Sequence, residues 1–149
     1  MTPDELARAS ADAMWAADRA SQALGMKIEA VGAGRAALSM TVRDDMTNGH
    51  KTCHGGFIFT LADSAFAFAC NSYNQRTVAQ MAAITYLAPA FAGDRLTATA
   101  TEVARQGRSG IYDISVTNQD GAKIAEFRGH SRTVKGTHLP EPAPTASKT

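Results

Sequence analysis

The sequence predicts an α+β domain in which an antiparallel sheet of five to six strands wraps one long apolar helix. Two observations point there. Residues Gly55 to Cys70, GGFIFTLADSAFAFAC, form a stretch of sixteen with a single charge, Asp63, and are apolar on nearly every helical face. A helix of that kind belongs inside a fold, and at ~1.5 Å per residue it runs about 24 Å, enough to cross a small domain. The second half of the chain is different. It is a series of proline-free segments rich in Thr, Val, Ile and aromatics, separated by turn residues, and these read as strands. A curved sheet around the helix buries most of its surface.

The elements follow in order. Thr2-Pro3-Asp4-Glu5 is a helix start: Thr2 caps, Pro3 suits the first helical position and Glu5 completes a capping box. Leu6, Ala13, Met14, Ala17, Ala20 and Leu24 continue one amphipathic helix, which Gly25 stops. Met26–Val31 and Arg35–Val42 are strands around Gly32-Ala33-Gly34. The polar run from Arg43 to His54 is a loop, and the apolar helix follows it. Thr77–Leu87, Arg95–Arg105, Ile111–Asn118 and Ala122–Val134 are strands. Asp120-Gly121 is a hairpin turn and Gln106 to Gly110 a looser one, so the last three strands form an antiparallel meander. Residues 1–135 are expected to be one domain, and 136–149 a proline-rich, disordered tail.

Composition narrows the function classes. At 149 residues the chain holds one sizeable core, and 44% hydrophobic residues is ordinary for a globular protein. A net charge of +1 argues against a nucleic-acid or membrane-surface binder, which needs a basic excess. The amino terminus has no signal-peptide pattern, so a cytoplasmic location with Cys53 and Cys70 reduced is expected. No Walker-type or dinucleotide-binding glycine motif occurs, and no cofactor is expected.

A carboxylate halfway along an apolar helix is costly to keep ionised unless it is paired. Asp63 is therefore the first candidate for chemistry. Its structural alternatives are a hydrogen bond to Ser64, Thr60 or the backbone, or a helix break that Asp63 caps. Gly55-Gly56 opens the helix, where free N–H groups and the helix dipole stabilise a developing oxyanion. The alternative is a tight loop-to-helix turn. Gly55 and Asp63 are eight residues apart, so ~12 Å along one helix. One subunit does not easily bring both to one atom. Two antiparallel helices do, which predicts a homodimer with two symmetric shared sites. Asn48 either orients a carboxylate or water, or is a turn residue. His50 and His54 have metal-like spacing with no third ligand evident, so no metal site is expected. His54 braces the loop or binds a substrate oxygen. Cys53 has no visible base to activate it. Between Arg105 and Lys135 basic residues outnumber acids, through a phosphate-binding face or ordinary solvated strands. Phe57, Phe59, Phe66 and Tyr73 are available to an aromatic pocket or to the core.

Asn48-Gly49-His50, Cys53-His54-Gly55-Gly56-Phe57, Leu61-Ala62-Asp63-Ser64-Ala65-Phe66-Ala67 and Ala69-Cys70-Asn71-Ser72 resemble the hotdog-fold acyl-CoA thioesterases. The likeness is to their phenylacetic acid degradation branch, the PaaI type. Phe91-Ala92-Gly93-Asp94-Arg95-Leu96, Gly110-Ile111-Tyr112-Asp113 and Phe127-Arg128-Gly129 agree, so the likeness spans roughly residues 10 to 135. It implies a hotdog fold, dimers that pair into tetramers, and hydrolysis of aryl- or arylacetyl-CoA thioesters. By position, Gly55 would polarise the thioester carbonyl. Asp63 of the partner subunit would be nucleophile or general base. Asn48 would orient the water or the carboxylate, and His54 would support the site. Gly56, Phe57 and Ser64 would contact substrate. Val78-Ala79-Gln80-Met81, where relatives often place a hydroxyl-bearing site residue, has none. Two other readings remain. One is a hotdog dehydratase of 3-hydroxyacyl thioesters, whose histidine motif usually has a nearby proline, absent here between Pro3 and Pro89. The other is a non-catalytic acyl-CoA binding module.

Overall fold

Six antiparallel strands in the order β1-β2-β4-β5-β6-β3 form one sheet in the computed structural model, which describes residues 1–140. The strands are β1 (Lys27–Gly32), β2 (Arg35–Thr41), β3 (Thr77–Tyr86), β4 (Arg95–Gln106), β5 (Ser109–Thr117) and β6 (Lys123–Thr133). Helices α1 (Pro3–Ala17) and α2 (Arg19–Ala23) precede them, and α3 (Gly55–Cys70) lies between β2 and β3. This is the expected α+β architecture with six strands. The segment 43–54 is a loop with one 3-10 turn, Asp44–Met46.

Helix α3 has the bounds its sequence gave. Ile58, Leu61, Ala62, Ala65, Phe66, Phe68 and Ala69 are buried along it and join Leu38, Met40, Leu96, Tyr112, Ile114 and Phe127 of the sheet in one core. Fully burying a side chain such as Phe66 stabilises the fold by about 1.5–3 kcal/mol. The close approach needs Gly129 on β6, because a Cβ there would enter the Phe66 ring. The sheet bends around the helix with the help of bulges in β3, between Ala79 and Met81, and in β4, between Glu102 and Ala104.

The strand order decides what stays open. β3 is an edge strand, paired only with β6. Its Val78, Met81 and Tyr86 are about half exposed. On α3, Gly56, Thr60, Asp63 and Ala67 recur at helical spacing and are not buried. They mark the side of the helix that the sheet leaves uncovered.

Two local expectations change. The amino-terminal helix does not run through to Gly25: it breaks at Asp18, where α2 starts. Asp18 caps α2, accepting from Ser21 N at 3.0 Å and Ser21 Oγ at 2.7 Å. An aspartate offers that bond as readily as it stays helical, which is why periodicity alone passed over the break. The β4–β5 turn is also tighter than expected: Gln106 pairs with Ser109 across Gly107-Arg108, and Gly107 has φ +58.

The segment after Lys135 is held for a short distance. Gly136 O accepts from Arg76 N at 3.0 Å, and Asn74 Oδ1 accepts from His138 N and Leu139 N at 3.1 and 2.9 Å. The remainder of the expected disordered tail, residues 141–149, lies outside the described residues. No helix among the described residues is long and apolar enough to cross a membrane.

Candidate active site

The loop 43–54 is built to deliver the start of α3. Asn48 Oδ1 accepts from His50 N at 2.8 Å and from Thr52 N and Oγ1 at 3.3 and 3.2 Å, so its carbonyl side locks the loop's turn. Its Nδ2 has no hydrogen-bond partner among the described residues. His54 N then donates to Met46 O at 2.8 Å, fixing where the helix begins.

His54 caps α3. Its Nδ1 accepts from Gly56 N at 2.9 Å, which requires the tautomer with its proton on Nε2. Of the two amides read from the sequence as free, Gly56 N–H is therefore occupied. Gly55 N–H has no partner among the described residues and is the donor left to a ligand. Tyr86 of β3 lies over Gly55, donating from Oη to Gly55 O at 2.9 Å. A Cβ at Gly55 would stand 2.9 Å from that ring. An open cleft of about 480 Å³ adjoins this point, lined by Thr52, Cys53, Gly55, Ile58 and Tyr86 to Ala90.

Asp63 sits two turns further on, half-buried. None of its structural alternatives is present. Thr60 Oγ1 donates to Gly56 O at 2.8 Å. Ser64 Oγ lies 2.8 Å from Ser21 Oγ, and because Ser21 gives its proton to Asp18, Ser64 is the donor. The helix runs unbroken through Asp63. The Asp63 carboxyl has no hydrogen bond among the described residues, and burial pushes its pKa above the usual carboxylate range. Through this bond Ser64, expected at the substrate, ties α2 to α3.

The thiols are poor nucleophiles here. Burial, with the Asp94 carboxylate, pushes Cys53 up to about 11, and burial pushes Cys70 up to about 12. Among the described residues no three His, Cys, Asp or Glu side chains cluster as metal ligands. Of the aromatics considered for a pocket, Phe66 is core and packs edge-on against Tyr112. Phe59 packs against Phe127, and Tyr73 lies under Arg105 with its hydroxyl on Glu102. Phe57 stays beside His54. None of the four lines the cleft at Gly55, whereas Tyr86 does. Tyr86 comes from a strand 31 residues away in sequence, and no local pattern marks it. In the basic segment, Arg128 pairs with Asp113, Lys123 with Glu126 and Arg105 with Glu102. Arg108, Arg132 and Lys135 have no ion pair among the described residues.

Residues 50–125 match the family model described as the thioesterase superfamily. The chain is 48% identical over 129 residues to the acyl-coenzyme A thioesterase PaaI of Escherichia coli K12, an alignment covering 86% of this chain and 91% of the relative. The solved structure of the E. coli PaaI protein from the phenylacetic acid degradation operon superposes with a TM-score of 0.90 at 44% identity, over 91% of this chain and 99% of that one. A Streptococcus mutans protein solved bound to acetyl CoA is 25% identical, with a TM-score of 0.71, over 75% of this chain and 90% of that one.

Proposed function

This chain belongs to the thioesterase superfamily, and from that premise we propose that it hydrolyses acyl-CoA thioesters to the free acid and CoA, with phenylacetyl-CoA or its ring-hydroxylated forms as substrates. One observation supports the chemistry above the others. A single helix presents an N–H at Gly55 and a carboxylate at Asp63 that have no partner among the described residues, and neither residue is buried by them.

A thioester carbonyl gains negative charge on oxygen as it becomes tetrahedral. Gly55 N–H, at the positive end of α3, donates to that oxygen. Asp63 supplies the attack, either as nucleophile or as general base on water. The C–S bond then breaks and CoA leaves as the thiolate, which takes a proton from solvent. In the base route the acid is formed at once from the attacking water. In the nucleophile route a water then cleaves the Asp63–acyl anhydride to the acid and restores the carboxylate. His54 and Asn48 hold the loop that aims the amide. A single turnover in H₂¹⁸O tests the nucleophile route: label in the Asp63 carboxylate means that Asp63 formed the anhydride and that water then attacked its Asp63 carbonyl, an outcome the base route cannot give.

Gly55 and Asp63 of one chain are ~12 Å apart along the helix axis, so each site takes Gly55 from one subunit and the partner's Asp63. The exposed edge of β3 supports this assembly. A long, apolar, unpaired strand is a template for pairing, and two β3 edges related by a two-fold axis join the sheets and set the two α3 helices antiparallel. The homodimer pairs further into a homotetramer, acting in the cytoplasm without cofactor or metal.

The test is release of free thiol from phenylacetyl, hydroxyphenylacetyl, benzoyl, medium-chain and acetyl esters of CoA. Wild type releases thiol and Asp63→Asn does not. Mixing two inactive variants, Gly55→Val and Asp63→Asn, regenerates about a quarter of wild-type activity, because each mixed dimer has one intact site. A folded wild type that releases no thiol refutes hydrolysis, and a mixture that stays inactive refutes the shared site.

A further inference from the structure

We propose that the segment Gly136–Leu139 folds back to form the far wall of the acyl pocket, and that His138 and Ala67 thereby set which acyl groups the enzyme accepts. The inference rests on the hydrolase reading above and adds to it where the acyl group lies.

A second cavity, of about 380 Å³, sits at the carboxyl-terminal end of α3. That is a ligand-sized volume. One part of its wall is apolar, with Met14, Ala67, Val78 and Val134, and the other is polar, with Asn71, Arg76, Thr77 and His138. Ala67 is one turn of α3 beyond Asp63 on the same open side, so ~6 Å from it along the axis. A group attached to a carbonyl at Asp63 and directed towards the carboxyl end of α3 enters this cavity first at Ala67.

The dimer of the preceding section joins the two halves. Antiparallel pairing of two β3 strands sets the Thr77 end of one beside the Tyr86 end of the other. The cavity at Ala67 and Val78 then meets the cleft at the partner's Gly55. One subunit would hold the carbonyl oxygen while the other receives the acyl group.

His138 closes this cavity by a defined bond. Its Nε2 lies 2.7 Å from Asn71 Oδ1. Asn71 is buried and fully engaged: its Nδ2 donates to Ala67 O and Thr77 O at 2.8 and 3.0 Å, and its Oδ1 also accepts from Thr77 N at 2.9 Å. Oδ1 is therefore an acceptor, and Nε2 of His138 carries the proton it receives. Burial and the Arg76 guanidinium hold the His138 pKa below the usual histidine range. The neutral ring is thus clamped between the end of α3, the start of β3 and its own backbone contacts to Asn74. A segment held this way is a wall rather than a loose end.

The experiment compares kcat/KM for phenylacetyl-CoA and acetyl-CoA in wild type, in a chain ending at Lys135 and in Ala67→Leu. Losing the wall or filling the cavity at its entrance lowers the phenylacetyl-to-acetyl ratio about tenfold or more, the scale of one lost apolar contact in a pocket. His138→Ala falls in the same direction, and His138→Gln, which restores a donor to Asn71, recovers part of it. A purely structural role would lower both esters together and leave the ratio unchanged. An unchanged ratio in Ala67→Leu and His138→Ala, in an enzyme that still releases thiol, overturns this inference alone. A wild type that releases thiol from neither ester overturns the hydrolase reading and this inference with it.

Discussion

The two candidate catalytic points of α3 are made in opposite ways. At its start the polar groups around the amide are braced: Asn48 Oδ1 locks the loop, His54 takes the Gly56 amide and Tyr86 takes the Gly55 carbonyl. The Gly55 N–H is left without a partner among the described residues, on a backbone fixed in place. At its middle no described residue hydrogen-bonds to Asp63, whose carboxyl is half-buried and pushed towards its neutral form by desolvation. On the proposed mechanism, a donor that must not move is held by neighbours, and an acid that must react has none among the described residues. Stability and reactivity are thereby separated along one helix.

The largest effect should come from the unbraced point. Asp63→Asn is expected to lower kcat by about 10³-fold, the range for removing a positioned base. The same variant should melt at a higher temperature near neutral pH. The sign follows from linkage: with the folded pKa raised, the folded state binds the proton more tightly than the unfolded chain, so stability falls as pH rises through the unfolded and then the folded value. Asn removes that penalty. If Asp63→Asn melts lower than wild type, the carboxylate is paired after all and the contrast fails. The pH profile sharpens the point. On the proposed mechanism activity needs the ionised carboxylate, so kcat/KM should rise with pH through a midpoint above the ordinary carboxylate value of 3.8.

Smaller effects should come from the braced end. Gly55→Ala sets a Cβ 2.9 Å from the Tyr86 ring. It should displace either the ring or the amide and lower kcat on the order of 10²-fold, with KM less affected. His54→Ala frees Gly56 N–H and removes the helix cap, at about 1 kcal/mol of stability by denaturant melt. Its rate should fall about tenfold, and His54→Asn, which can still cap, should retain most stability. Tyr86→Phe keeps the ring and loses one hydrogen bond. It should cost about 1 kcal/mol or less and only a severalfold change in rate. A Tyr86→Phe loss as large as that of Asp63→Asn would mean that the hydroxyl acts on substrate rather than on Gly55.

Much of this was legible in the chain. Hydrophobic content and strand chemistry gave the helix at Gly55–Cys70 and the strands that wrap it, because both signals are local and repeated. Asp63 stood out because a lone charge in an apolar helix is rare. The break at Asp18 was not legible, since an aspartate in a helical pattern can remain helical or cap the next turn. Nor was the loss of Gly56 and Ser64 to internal partners. Both residues have the chemistry for substrate contact, but His54 is folded back onto one and Ser21 of another helix reaches the other.

The sequence by itself determined the long helix, the strands, the family and the candidate residues of the site, because periodicity, turn residues and a misplaced charge are properties of neighbouring positions. Tertiary structure decided which of those groups are free. Tyr86 reaches Gly55 and His138 reaches Asn71 from far along the chain. The strand order leaves β3 as an open edge. Hydrogen-bond competition and burial depend on positions brought together only by folding, so no local pattern could assign them.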